Sequence, residues 1–302
     1  MRLTTEQRTR FETEGYLAVQ GVFPPEDLDP LIADFEDLVG AIARDLVARG
    51  RIREEHADLP FERRLAALTW AARESLQRRV SFPANHRRAI FDCLSNPRLV
   101  DLVEDVVGPE ISCHPTLHVC PKLPAFIGVR YRDFSFESPV HQDAAALQPE
   151  ADGTRVVTSW IPLVDVTEDM GPVDVYPGLH RGDILRHTSA DGGGLTIVED
   201  VRPPGPPVPV PLAKGSVLLL DGRTPHGSRP NNTQIVRWSL DLRWHDARKP
   251  SGRPLPGIVV RSREKPLTSY ADWLRDWAAV RPDRVPRVMD RWQQDERGEA
   301  MC

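Results

Sequence analysis

The chain has 302 residues, of which 40% are hydrophobic and 27% charged, with 39 basic against 44 acidic side chains and a formal net charge of −5. This balance excludes disorder of the whole chain and offers no basic face for a nucleic acid. No apolar run approaches the roughly 18 residues that a membrane-spanning helix needs.

The opening stretch MRLTTEQRTRFETEG is too polar for a secretory signal. The four cysteines (Cys93, Cys113, Cys120 and Cys302) are scattered, with no CxxC pair to signal a zinc ribbon or a redox site. Reduced thiols and a cytoplasmic location are the expectation.

In chain order, Thr4 and Gln7 fit a capping box, Phe11 marks the buried side of a first helix, and Gly15 stops it. YLAVQGVF (16–23) then reads as a short strand. A second helix begins at about Pro25. Leu28, Leu31, Ile32, Phe35, Leu38, Val39, Ile42 and Leu46 recur at spacings of three and four, which predicts one core-facing stripe. Segments 61–80 and 86–106 are also expected to be helical.

From about residue 111 the pattern changes. ISCHPTLHVC, VVTSWIPLV, GPVDVYPG, LTIVEDV, VPVPL, GSVLLLDG and QIVRWSLDLRWH are short apolar or alternating runs between turn-forming clusters. They predict an all-β sandwich or barrel, not a doubly wound parallel sheet. RPPGPPVPVP (202–211) reads as a rigid loop or an edge strand. After about residue 267 the chain returns to helix, through SYADWLRDWAAV and a second segment ending near Trp292. The expected organisation is one domain over 1–302: a helical part to about 108, a β core over about 109–246, and a helical extension over about 265–297.

Two clusters carry chemistry. In His141-Gln142-Asp143, an extended chain aims an imidazole and a carboxylate to the same side. His226 follows 85 residues later, just past the apolar run LLLD. Two histidines and a carboxylate on one face of a metal leave positions open, as non-haem Fe(II) oxygenases require. Alone, HxD is a weak signal that a surface turn also satisfies. Arg237, eleven residues after His226, sharpens it. In IVRWSLDLRW, Val236, Trp238, Leu240, Leu242 and Trp244 share one face, and Arg237, Ser239, Asp241 and Arg243 the other. The polar face can look into solvent, the expectation for Arg243. For Arg237 the alternative is that it looks inward and clamps a carboxylate in bidentate fashion beside the Ser239 hydroxyl.

These residues resemble the phytanoyl-CoA dioxygenase family of Fe(II)/2-oxoglutarate-dependent oxygenases. LTTEQRTRFETEGYLAVQGVFPPEDL is similar to that family's N-terminal opening. GPVDVYPGLHRGDI (171–184) is similar to its G-P…P-G-S-H segment, with Leu179 in place of the usual serine. RTPHGSRPNNTQIVRWS is similar to its H-x-S-x-P-N segment, with Gly227 directly after the histidine. The likeness covers most of residues 3–245. The tail from Pro250 carries no usable motif.

The resemblance implies a mainly β fold with flanking helices around a double-stranded β-helix, a jelly-roll of the cupin kind. It implies Fe(II) held by His141, Asp143 and His226, with O2 as oxidant. It implies 2-oxoglutarate as cosubstrate, its far carboxylate on Arg237 with Ser239 as a second donor. Asp143 points to hydroxylation, since related halogenases lack this carboxylate. Trp160 is a candidate for lining the pocket, with core packing as the alternative. Lys122 is a candidate contact to an anionic ligand, although an exposed lysine is the reading its position favours. His114 and His118 are read as structural, His180 as a hydrogen-bonding residue, and His56, His86, His187 and His245 carry no signal.

The implied function is oxidation of a small organic molecule, a natural-product intermediate, an amino-acid-like compound or an acyl compound. Desaturation, cyclisation or epimerisation by the same machinery is an alternative. A cupin-like metal protein or isomerase that does not use 2-oxoglutarate is another.

Overall fold

The computed structural model describes residues 1–84, 86–115, 117–130, 137–190, 194–253, 255, 257–280 and 290–293. The chain opens with α1 (Thr5–Glu14), capped by the reciprocal Thr4–Gln7 box and closed at Gly15, whose φ of 76° is left-handed. A Cβ at Gly15 would collide with His180 and Thr224, so both backbone conformation and space demand glycine there. Next come β1 (Tyr16–Val19), α2 (Pro25–Ala48), α3 (Phe61–Ala72), α4 (Gln77–Ala84), α5 (Arg88–Leu94) and α6 (Pro97–Val107). The two expected later helices are therefore four. Arg73, in the left-handed region with φ 55°, ends α3, and Asn96 caps a fresh start at Pro97.

The strands follow: β2 (Ile111–Cys113), β3 (His118–Lys122), β4 (Ser138–His141), β5 (Val157–Pro162), β6 (Val173–Val175), β7 (His187–Ser189), β8 (Leu195–Ile197), β9 (Val208–Val210), β10 (Val217–Asp221), β11 (His226–Ser228), β12 (Arg237–Asp246) and β13 (Ile258–Arg261). Then come α7 (Tyr270–Ala278) and α8 (Asp290–Gln293). The expected extension over about 265–297 lies partly outside the described residues.

The larger sheet runs β1-β10-β5-β12-β2-β13, with β3 also on β12; the smaller runs β4-β11-β6-β9. All named pairings within these two sheets are antiparallel. Two antiparallel sheets meet the all-β expectation from the short alternating runs, and they form the jelly-roll that the family resemblance implies. ISCHPTLHVC forms two strands rather than one: β2 pairs with residues 244–246 of β12 and β3 with residues 237–241. The proline-dense stretch ends in β9 at the edge of the smaller sheet, where proline costs no ladder bond on its free side.

Alternation in the larger sheet separates two environments. Trp238, Leu240, Leu242 and Trp244 of β12 join Val157 and Ile161 of β5 and Val217 and Leu219 of β10 under the helices. Trp238 stacks on Phe61 and Phe35 at centroid distances of 4.6 and 6.0 Å. The opposite faces put Trp160, Leu218 and Leu220 with Val173 and Val175 of the smaller sheet, in a second cluster. The helices thus cover the outer face of the sheet and leave its inner face to a cavity. No helix among the described residues is long and apolar enough to cross a membrane.

Candidate active site

Strand pairing brings the two histidines together. β11 lies beside β4 with His226 directly opposite His141, and the ring centroids are 4.4 Å apart. Each ring is oriented the same way. His141 Nδ1 donates to the Pro139 carbonyl at 2.8 Å and His226 Nδ1 to the Thr224 carbonyl at 2.9 Å. With Nδ1–H so engaged, Nε2 carries the free lone pair of the neutral ring. Burial, then the nearby His226, pushes the His141 pKa down to about 3. A neutral imidazole is the form that binds a metal.

Asp143 completes the group. Gln142 is extended (φ −116°, ψ 132°), so Asp143 faces the same side as His141. His141 Nε2 is 3.8 Å from Asp143 Oδ1, and His226 Nε2 is 3.9 Å from Oδ2. One ligand atom from each of the three residues lies within 4.8 Å of the others. Among the described residues this is the one group of three or more that could hold a metal. Thr158 Oγ1 donates to Oδ2 and Arg243 Nη2 to Oδ1, both at 2.5 Å. Burial opposes the Asp143 charge, but Arg243 and the two histidines outweigh it and hold the carboxyl well below the usual range.

Arg243 is therefore not the solvent-facing residue expected of it. It is 9% exposed and ion-paired to Asp143. Residues 237 and 243 are both odd positions on one regular strand, so an inward Arg237 requires an inward Arg243.

The residue between the two donors is tied on all sides. The Gln142 backbone N–H donates to His187 Nε2 at 3.1 Å, while its side chain donates to the Arg223 carbonyl at 2.7 Å and accepts from the Leu185 N–H at 2.7 Å. His187, which carried no sequence signal, is thus part of the support. Trp292 of α8 lies against it at 5.2 Å and donates to the Ala145 carbonyl at 3.0 Å. His180 makes the hydrogen bond expected of its turn, with the Glu12 carbonyl at 3.2 Å.

The three donors open into a cavity of about 460 Å³ that also takes in Lys122, Trp160, Ser228, Arg237 and His118. Arg237 and Lys122 are cross-strand partners in β12 and β3, and both are buried. The exposed position expected of Lys122 is thus overturned, since β3 turns this residue inward. Their donors reach neutral acceptors. Lys122 Nζ binds Ser228 Oγ at 2.5 Å and the Arg229 carbonyl at 2.6 Å, and Arg237 Nη1 binds the Gly171 carbonyl at 2.7 Å. Arg237 Nε has no hydrogen-bond partner among the described residues. Burial lowers the pKa of both groups.

Two buried cations side by side on neighbouring strands repel unless an anion joins them. The indole of Trp160 lies 5.2 Å from the guanidinium carbon, so Trp160 both lines the pocket and packs in the core. Gly171 makes the contact possible. Its φ is 61°, and a side chain there would strike the Arg229 carbonyl. Ser239 shares the face of Arg237 and is fully buried, but its hydroxyl goes to the Cys120 carbonyl at 3.5 Å and it is not among the cavity-lining residues. Ser228, two residues past His226, does line it, as do Ser81 and Ser138. His118 also lines the cavity, beyond the structural part given to it, while His114 is fully buried against the Ser251 carbonyl.

Comparison with known proteins agrees with this geometry. The family profile described as Phytanoyl-CoA dioxygenase (PhyH) matches residues 11–239. Peroxisomal phytanoyl-CoA dioxygenase of Rattus norvegicus is 23% identical over 248 residues, covering 80% of this chain and 68% of the relative. Among solved structures, the non-haem monooxygenase ThoJ in its apo form has a TM-score of 0.64 at 18% identity, covering 97% of this chain and all of that one. The epimerase SnoN, solved with Fe3+, alpha-ketoglutarate and a nogalamycin compound, has a TM-score of 0.55 at 21% identity, covering 94% and 97%.

Proposed function

Because the chain belongs to the phytanoyl-CoA dioxygenase family, it is a non-haem Fe(II)/2-oxoglutarate oxygenase, and we propose that it hydroxylates a small organic molecule at the cavity between its two sheets. His141, Asp143 and His226 would hold the iron, and Arg237, Lys122 and Ser228 the far carboxylate of 2-oxoglutarate. The observation that carries this reading is the meeting, in one cavity, of the three-donor cluster and a buried cation pair whose hydrogen bonds go to neutral acceptors.

Bound iron would supply oxygen activation, coupling decarboxylation of 2-oxoglutarate to succinate and CO2 with oxidation of a substrate C–H bond. The chain's own residues prepare for that. The Pro139 and Thr224 carbonyls fix both imidazoles with Nε2 toward the site. Arg243 and Thr158 keep Asp143 ionised and its oxygens turned inward. Val173, Leu220 and the Trp160 face give the cosubstrate end a dry wall, where paired charge-assisted bonds gain strength.

The test is anaerobic addition of Fe(II) and then 2-oxoglutarate, watched for the visible charge-transfer band of the chelate. A band that appears in wild type and is lost in His226→Ala supports the reading. Iron binding with no band on 2-oxoglutarate addition favours a cupin-like metal protein instead.

A further inference from the structure

One acidic side chain in the cavity has no part in metal or cosubstrate binding. Asp241 shares the inward face of β12 with Arg237 and Arg243. Either arginine is placed to neutralise it, yet Arg243 Nη2 goes to Asp143 and Arg237 Nη1 to the Gly171 carbonyl. Asp241 Oδ1 is shielded from solvent and has no hydrogen-bond partner among the described residues. Among the described residues, Oδ2 has the Cys120 thiol at 3.7 Å, and a thiol is a weak donor. Burial pushes the Asp241 pKa up. The side chain is also outside the metal-holding cluster. A carboxyl left this way costs the fold stability unless something completes it. Its place on the wall says what does. It is two residues along the strand from Arg243, about 7 Å at the rise of an extended chain, and so beside the donor cluster. His118 is its cross-strand partner, and Gln77 and Ser81 of α4 border the same cavity.

We propose that Asp241 is a substrate-specificity residue whose carboxyl accepts a hydrogen bond from an N–H or O–H group of the substrate. The protein would then take amine- or hydroxyl-bearing small molecules and hold that donor next to the oxidising centre. The proposal rests on the oxygenase reading above and names the substrate class for the same cavity.

The test uses wild type, Asp241→Leu and Asp241→Asn with three matched probes: 2-phenylethylamine, 2-phenylethanol and 2-phenylethyl methyl ether. Binding is read anaerobically from the shift each probe causes in the Fe(II)–2-oxoglutarate band, alongside the dissociation constants for Fe(II) and 2-oxoglutarate and the melting midpoint. In wild type the amine or the alcohol binds at least about tenfold more tightly than the ether, the size of one good hydrogen bond to a carboxyl. Asp241→Leu erases that preference, leaves both dissociation constants within about twofold, and melts no lower than wild type, since it removes an unpaired buried acceptor. Asp241→Asn separates the two donors: alcohol binding survives and ammonium binding falls.

Three results overturn the proposal: equal binding of all three probes by wild type, a donor preference that survives in Asp241→Leu, or a joint loss of stability and 2-oxoglutarate affinity in that variant. The last would make Asp241 a charge balance for the two arginines. If wild type forms no band at all, the oxygenase reading falls and takes the proposal with it. If the band forms and the probes do not discriminate, the proposal alone falls.

Discussion

The two ends of the cavity are built on opposite principles. At the donor end each side chain is held in place by its neighbours: Nδ1 of both histidines on carbonyls, the Asp143 carboxylate by Arg243 and Thr158, and Gln142 anchored through main chain and side chain. At the other end Lys122 and Arg237 crowd two cations against neutral acceptors. The first end is oriented before anything binds, and the second keeps an excess of positive charge for an anion to settle. A metal needs direction from its ligands, whereas a flexible dicarboxylate needs a field and a fork.

That contrast can be broken at four places. The largest effect belongs to His226→Ala. It removes a donor outright, so Fe(II) affinity falls by more than the roughly 10- to 100-fold that losing an outer partner costs. Circular dichroism stays native and iron titration reports the loss; unchanged iron affinity would dismantle the cluster.

Arg243→Ala comes next. It strips a buried carboxylate of its partner, a change that typically costs about 3–5 kcal/mol. Fe(II) neutralises the same carboxylate, so the loss is large without iron and smaller with it. Urea melts with and without Fe(II) measure the difference, and equal losses would mean that Arg243 does not act through Asp143.

Arg237→Ala probes the other end. Charge-assisted bonds of roughly 1.5–3 kcal/mol translate to about a ten- to hundredfold weaker 2-oxoglutarate constant. Arg237→Lys keeps charge without the fork and falls between. Iron affinity stays put in both, and an unmoved 2-oxoglutarate constant would remove the anchor.

The smallest change lies far from either end. Thr4→Ala opens the capping box of α1 and costs about 1 kcal/mol, read as a lower melting midpoint with both ligand constants unchanged. A shift in iron affinity here would show that α1, which touches the Thr224 turn through Gly15, is mechanically linked to His226.

Local rules carried the reading of the helices and of the β12 alternation, because caps and periodicity are written in neighbouring residues. They also placed His141, Asp143 and His226 as one group, through a resemblance that extends over several segments. What local rules could not supply is which way a face turns. Lys122 and Trp160 are inward because of sheet register, which joins β3 to β12 across 115 residues at Lys122 and Arg237 and β5 to β12 across 81 at Trp160 and Asp241. Arg243 is a different case. Its parity with Arg237 was visible in the chain, and a regular strand does not allow the two to face different environments. Ser228 has a signal as well, two positions beyond His226 on the same strand, whereas proximity to Arg237 favours Ser239. His187 had none, since its bond to Gln142 spans 45 residues.

The two faces of β12 also set what variation this chain can tolerate. Tryptophans and leucines fill one face, and arginines, a serine and an aspartate the other, so the strand behaves like a text in a two-letter frame. Deleting one residue within it would send the arginines under Phe35 and Phe61 and the indoles into the cavity. Deleting two would restore the faces but move the anchor by about 7 Å along the sheet. Descendants of this sequence can exchange letters within a face, as the substrate wall requires for new specificities, while the length of the strand stays frozen.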